Sequence, residues 1–300
     1  MRIDFFQNMV VITKEELKKN YERHLDKFTN YPAPLDFPDN FLKLEVTHTF
    51  PESRDGVAGK LWREIFLNHI EEHRGLLSYE CRKKNNLLHD EGKPEGVVAE
   101  KFGLYGYVFA YLGAHESYYA NKGVAPAFGV FISREIEKED TSNASCRDIA
   151  ILGISIDNER ELTDDEIKRI KGEFLFPEDA RKIITYEISK NYDGDIWKYW
   201  KSSWENKVEM HFFEKVHIDN IKGIIWPVRK YRKLGGRIDI SYYHEQFMDF
   251  AKECPHIKIY QYDWTPKYGH KAFQNASYRI SEYFFKHGKY PDNCKIEYEP

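Results

Sequence analysis

The sequence predicts an α+β fold, and three observations carry that prediction. Runs of period two, rich in β-branched and aromatic residues, recur at 41–50, 104–112, 127–133 and 207–226, between segments of helical period. Strands and helices do not alternate in regular βαβ order, which removes a doubly wound parallel sheet. No internal repeat and no low-complexity linker interrupts the 300 residues. The simplest organisation is therefore one domain over 1–300, with an N-terminal helix at 13–28 and a helical insertion at about 157–204.

The elements follow in order. Thr13 with Glu16 is a capping-box pattern, which opens the helix at 13–28. Pro32, Pro34 and Pro38 then enforce an irregular linker. Residues 41–50 read as a strand ending in Thr47, His48 and Thr49. Leu61, Ile65, Phe66 and Ile70 form one face of an amphipathic helix at 58–74, with Gly75 as its left-handed cap and a charged loop at 82–95. Residues 104–112 are strand-like, 114–121 a short helix, and 127–133 and 148–156 strands. Thr163 with Glu166 caps a further helix, and Pro177 opens another through Lys190. Trp197, Trp200 and Trp204 fall at helical spacing over 195–203 and read as core packing. After the strand pair at 207–226 come a strand (237–242), a helix (244–254), a strand (256–262) and a helix (271–286).

Composition excludes several classes. A chain that is 41% hydrophobic and 31% charged has the balance of a soluble globular protein. Its aromatic share of 16% is high, and Tyr adds a polar tip that suits flat ligands as well as cores. A net charge of −4 argues against a general nucleic-acid coat protein. Cys81, Cys146, Cys254 and Cys294 are far apart and form no CxxC pair, so neither a zinc ribbon nor a disulfide framework is suggested. The N-terminus lacks the basic and apolar regions of a signal peptide, and no apolar run reaches the roughly 18 residues of a membrane span, so a cytoplasmic protein is expected. P-loop, HExxH and GxSxG motifs are absent, and Gly103 with Gly106 is only a fragment of GxGxxG.

Three features remain. In 208–214 the alternation places Val208, Met210 and Phe212 on one face of a strand and Glu209, His211 and Phe213 on the other. Taken alone, Glu209 reads as a solvent-facing carboxylate on an edge strand. Held at the lip of a sheet, it is also where an enzyme would meet a developing cation. Arg229, Lys230, Arg232, Lys233 and Arg237 around Tyr231 form a basic segment that suits a phosphate backbone or a solvated loop. His211 and His217 would offer two metal ligands but lack a third, and read as core or surface histidines.

The pieces occur in a telling order. A strand bearing His48 is followed by Gly75–Ser78 (GLLS), the strand and short helix at 107–123, and Glu209 ahead of Val216 and Ile221. This order resembles the ADP-ribosyltransferase fold, most closely DarT-like bacterial toxins that modify nucleic acid. The resemblance covers about half of the chain, and the arginine that such proteins carry after the second strand is not evident, Arg134 lying one strand later.

The resemblance implies a split sheet with a helical insertion and an enzyme with NAD as its substrate. Glu209, with Glu205 and Glu214 as rivals, would stabilise the oxocarbenium formed as the nicotinamide–ribose bond breaks. His48 and Thr49 would bind the ribose and carboxamide, and Tyr118 or Tyr119 would stack on nicotinamide. Arg229, Lys230, Arg232 and Lys233 would hold a nucleic-acid acceptor, DNA or RNA, although a protein acceptor stays open. A toxin or phage-defence role would bring a neutralising antitoxin protein. The alternative from the residues is a non-catalytic module that binds nucleic acid or protein through its aromatic and basic segments.

Overall fold

The helix Lys14–Asp26 begins where its sequence dictates. The Thr13 hydroxyl accepts from the Glu16 N–H at 3.2 Å, and the Glu16 carboxylate accepts from the Thr13 N–H at 2.7 Å, so two otherwise orphaned donors are satisfied reciprocally. Its buried stripe is Leu17, Asn20 and His24, two of them polar. They are polar because they meet carbonyls. The Asn20 amide donates to the Lys171 and Phe174 carbonyls at 2.6 and 2.9 Å, His24 Nε2 reaches the Gly172 carbonyl at 3.1 Å, and Arg23 donates to that same carbonyl. The Lys171 and Gly172 carbonyls are those that the helix Asp164–Lys171 leaves unpaired at its C-terminal end, so one helix caps another, while Phe174 opens the strand Phe174–Leu175.

The structure, a computed structural model, describes residues 9–30, 46–51, 72–85, 97–112, 127–147, 149, 160–200, 208–227, 231–233, 236–238, 248–262 and 269–296. They fall into two compact units, one drawn from Met1–Pro38, Leu77–Phe109 and Ile136–Lys215, the other from Asp39–Leu76, Ala110–Glu135 and Val216–Pro300. Each combines helices with sheet, and the expected α+β class holds.

In the first unit the sheet runs from the start of the Tyr107–Leu112 strand through Glu209–Phe213 and Asn143–Ser145 to Phe174–Leu175. The last three pair antiparallel, with Asn143 opposite His211, Ser145 opposite Glu209 and Ala144 opposite Leu175. Leu17, Val98, Phe102, Leu104, Ile170 and Phe174 form an apolar core beside it, with the Phe102 and Phe174 rings stacked at 5.8 Å. The helix Pro177–Asn191 starts on a proline, whose missing N–H costs nothing at that position. It buries Arg181, which holds the buried Glu137 through two hydrogen bonds, Nε to Oε2 being 2.7 Å.

The second unit carries a mixed sheet in the order Cys294–Ile296, Lys258–Tyr262, Ile221–Pro227, Ala127–Ile132, Val46–Pro51 and the end of Tyr107–Leu112. The first three strands are parallel and the remainder pair antiparallel. The helix Gly269–His287 packs Ala272, Phe273, Ala276 and Ile280 against Phe131, Ile225, Tyr260 and Tyr262. Two glycines permit this close packing. A Cβ on Gly129 would lie 2.4 Å from Ile225 Cγ2 and 3.1 Å from the Phe273 ring, and one on Gly223 would lie 2.9 Å from the Tyr260 ring.

Several expectations are corrected. Gly75 does not cap a helix: the left-handed φ of +53° belongs to Arg74, and Gly75 opens the strand Gly75–Leu77. The start of the charged loop at 82–95 is helical, because the Ser78 hydroxyl caps Tyr79–Lys84 by accepting from the Cys81 N–H at 3.3 Å. Residues Leu104–Gly106 are a 3-10 turn rather than strand, following Gly103 at φ +62°. The basic segment is not a plain loop, since Tyr231–Lys233 pairs antiparallel with Gly236–Ile238. Ile196 and Tyr199 take the buried positions of the short helix Ile196–Trp200, and Trp197 is only half-buried. The proline linker, most of the 58–74 helix, the 114–121 helix and nearly all of the 148–156 strand lie outside the described residues.

The Arg181–Glu137 pair gives a stability prediction. Arg181→Ala leaves a buried carboxylate without its counter-charge and is expected to cost about 3–5 kcal/mol in chemical denaturation. Replacing both partners by Met and Leu is expected to recover most of that loss.

Candidate active site

Glu209 is 4% exposed, so the solvent-facing reading is overturned. Its strand is interior to its sheet, with Tyr107–Leu112 on one side and Asn143–Ser145 on the other. Residues 209–212 are all buried, so both faces of the strand are covered, and within it only Phe213, where it ends, is exposed. A buried carboxylate must be hydrogen-bonded, and this one is. Its Oε2 accepts from the Ile149 N–H at 3.2 Å and lies 3.2 Å from His211 Nε2.

His211 follows Glu209 by two residues, so strand geometry places both side chains on one face. The ring is fully buried and fixed from both ends. Nδ1 lies 2.6 Å from the amide oxygen of Asn143, its partner across the strands, and Nε2 lies 3.4 Å from the Ser145 hydroxyl. Ser145 in turn donates to the Arg147 carbonyl at 2.6 Å. Aromatic rings close the cage, with centroids of Phe109, Phe174 and Tyr107 at 5.1, 5.6 and 6.2 Å from that of His211. Burial raises the Tyr107 phenol above its ordinary pKa, against a smaller lowering by its hydrogen bond to Asn143. The result is a chain Tyr107–Asn143–His211–Glu209 in a low-dielectric setting, where each polar contact is strengthened and each unmade one is costly.

Chemically this holds one carboxylate in a fixed orientation. An imidazole bridging Asn143 and Glu209 aligns the acid and offers it a proton partner. Of the rival acids, Glu214 is exposed at a φ of +57°, its backbone bonding Gly106 and Ser78, and Glu205 lies outside the described residues. His48 and Thr49 lie in the middle of the Val46–Pro51 strand, opposite Val130 and Gly129. Tyr118, Tyr119, Arg229 and Lys230 lie outside the described residues, and Arg232 and Lys233 sit on the Tyr231–Lys233 strand. His211 is engaged by Asn143 and Glu209, and the half-exposed His217 by the adjacent Asp219 at 3.0 Å. In the second unit a cavity of about 290 Å³ is lined by Lys222, His256, Lys258, Tyr283, Lys289, Tyr290 and Asp292, and contains none of these candidates.

Asn143, Ser145 and the role of His211 are absent from the residues expected from sequence. The i, i+2 spacing of Glu209 and His211 was the signal for the last. Asn143 and Ser145 come from a three-residue strand whose sequence carries no period to read.

No family model and no curated protein sequence matches the chain. Among solved structures it is similar to Thermus sp. 2.9 DarT in complex with carba-NAD+, at 12% identity and a TM-score of 0.34 over 74% of this chain and 94% of that one. The same protein in complex with NAD+ gives 11% identity and a TM-score of 0.37, over 74% and 96% of the two chains. Thermosipho africanus DarTG in complex with ADP-ribose gives 13% and 0.39, over 75% of this chain and 51% of that one. These are distant likenesses. Among the described residues no helix is long and apolar enough to cross a membrane.

The burial of Glu209 yields a measurable consequence. Glu209→Ala strands the Ile149 N–H and His211, and is expected to cost about 1–3 kcal/mol, against the few tenths expected of a surface carboxylate. Thermal and urea unfolding of the two proteins at neutral pH decides between these values.

Proposed function

We propose that this chain is an NAD-dependent ADP-ribosyltransferase with Glu209 as its catalytic carboxylate. The observation that carries the proposal is the carboxylate itself: a buried, singly oriented acid on an interior strand, supported by Ile149 and His211. The order of His48, Gly75–Ser78, 107–123 and Glu209 along the sequence points to the same chemistry.

In this reading the nicotinamide–ribose bond of NAD breaks while positive charge spreads over C1′ and the ring oxygen. A carboxylate fixed beside the 2′-hydroxyl stabilises that charge with little reorganisation. His211 keeps Glu209 aligned and shares its proton as the acceptor nucleophile is deprotonated. His48 and Thr49 bind the ribose and carboxamide, and Tyr118 or Tyr119 stacks on nicotinamide. The acceptor is nucleic acid, held by Arg229, Lys230, Arg232 and Lys233. The helices between Asp164 and Trp200 belong to the helical insertion of a split-sheet, single-domain fold spanning 1–300. The biological role is that of a toxin or phage-defence effector acting in the cytoplasm, restrained by an antitoxin protein.

One observation favours a different class. Glu209 already has two partners, as a purely structural buried acid would. A binding module built on the basic hairpin is the second reading. It predicts no turnover of NAD and nucleic-acid affinity that falls steeply with salt.

The two are separated by incubating the purified chain with NAD and single-stranded DNA, RNA or protein, then seeking nicotinamide release and an ADP-ribose adduct by mass spectrometry. Glu209→Gln keeps the shape and an acceptor oxygen, and is expected to lower turnover by at least about a hundredfold, the scale of losing one transition-state charge contact. His211→Gln is expected to reduce kcat more than KM, because it disturbs alignment rather than binding. A Glu209→Gln protein as active as the parent would remove Glu209 from the mechanism.

A further inference from the structure

We propose that His24, Cys146 and Glu173 form a binding site for zinc, separate from Glu209 and independent of the activity proposed above. Their ligand atoms all lie within 4.8 Å of one another. Each comes from a different element: the N-terminal helix Lys14–Asp26, the residue after the strand Asn143–Ser145, and the turn after the helix Asp164–Lys171.

The orientation of His24 is that of a ligand. Its Nε2 is 3.1 Å from the Gly172 carbonyl and therefore carries the proton, which leaves the Nδ1 lone pair pointing elsewhere. Metal-bound histidines are held in this way, with the other ring nitrogen donating to a carbonyl or carboxylate. Nδ1 faces the Cys146 sulfur at 3.8 Å. In a tetrahedral zinc site, with bonds of about 2.0 Å to nitrogen and about 2.3 Å to sulfur, the two ligand atoms stand about 3.5 Å apart. Glu173 Oε2 lies 3.8 Å from the opposite ring nitrogen, with 18% of its side chain exposed, and its carboxylate turns past the ring edge to reach the metal in this proposal.

Acidic and basic side chains both face the pair. Burial, foremost, and then the Lys27 ammonium lower the His24 pKa, so the ring is neutral and competent as a ligand at neutral pH. Burial and then the carboxylates of Glu173 and Glu187 push the Cys146 thiol up, while Lys27 and Arg147 act weakly the other way. The Lys27 ammonium lies 3.1 Å from Nδ1, where the metal would sit, and its side chain is exposed enough to withdraw to solvent. On binding, the thiol proton leaves to buffer, and zinc takes thiolate sulfur, imidazole nitrogen and carboxylate oxygen, with water as the fourth ligand. A nitrogen, sulfur and oxygen donor set of this kind selects zinc over magnesium or calcium.

The test uses the full 300-residue chain, reduced and freed of metal, titrated with Co2+ as a spectroscopic stand-in for Zn2+. One equivalent of Co2+ is expected to give a thiolate-to-metal band in the near ultraviolet and the intense visible bands of a tetrahedral ion, both abolished by Zn2+. Cys146→Ser is expected to remove the near-ultraviolet band, and His24→Ala to weaken Zn2+ binding at least about a hundredfold. A protein with Cys81, Cys254 and Cys294 all changed to Ser is expected to keep the full signal, so the result does not depend on how Cys146→Ser folds. Absence of a thiolate band in the parent, or its loss in that triple variant, would overturn the site.

Discussion

A carboxylate taken out of water must find hydrogen-bond donors, and much of the first unit follows from meeting that need at Glu209. The strand Glu209–Phe213 is covered on both faces, so the acid has no solvent to fall back on. The Ile149 N–H and His211 therefore have to be in place, and His211 in turn requires Asn143 across the sheet. This fixes the pairing of Asn143–Ser145 with Glu209–Phe213. A slip of one residue would point Asn143 away from the ring and Ser145 away from Glu209. Strand register, ring orientation and carboxylate orientation are thus one constraint.

The same reasoning applies at the N-terminal helix, where polar residues are buried because carbonyls await them. Leu17 supplies the only apolar residue of that helix's buried stripe, and its docking rests on Asn20, Arg23 and His24 reaching Lys171, Gly172 and Phe174. Ordinary burial rules would have left Asn20 and His24 in solvent. A helix end with unpaired carbonyls reverses that preference, and the reversal places an imidazole beside a thiol.

Sequence legibility followed the same division. Helices with strong local signals were readable, since Thr13 with Glu16, Thr163 with Glu166 and Pro177 act within a single turn and do not depend on distant residues. The strands at 107–112, 127–132, 221–227 and 258–262 were readable from composition. The short strands Asn143–Ser145, Phe174–Leu175 and Cys294–Ile296 were not, because two or three residues define no period and exist only through their partners. Glu209 could be singled out from its position in an apolar run, but the alternation around it suggested a half-exposed strand. Both faces of that strand are covered by packed side chains, and no local pattern records what will pack over a strand's second face.

The aromatic enclosure of His211 makes that ring a natural reporter. Protons held edge-on between the rings of Phe109, Phe174 and Tyr107 feel strong local magnetic fields and resonate far from those of an imidazole in water. Any ligand that draws on Glu209 would disturb its contact with the ring and shift those signals. Engagement of Glu209 thus becomes visible in a proton spectrum, without a label.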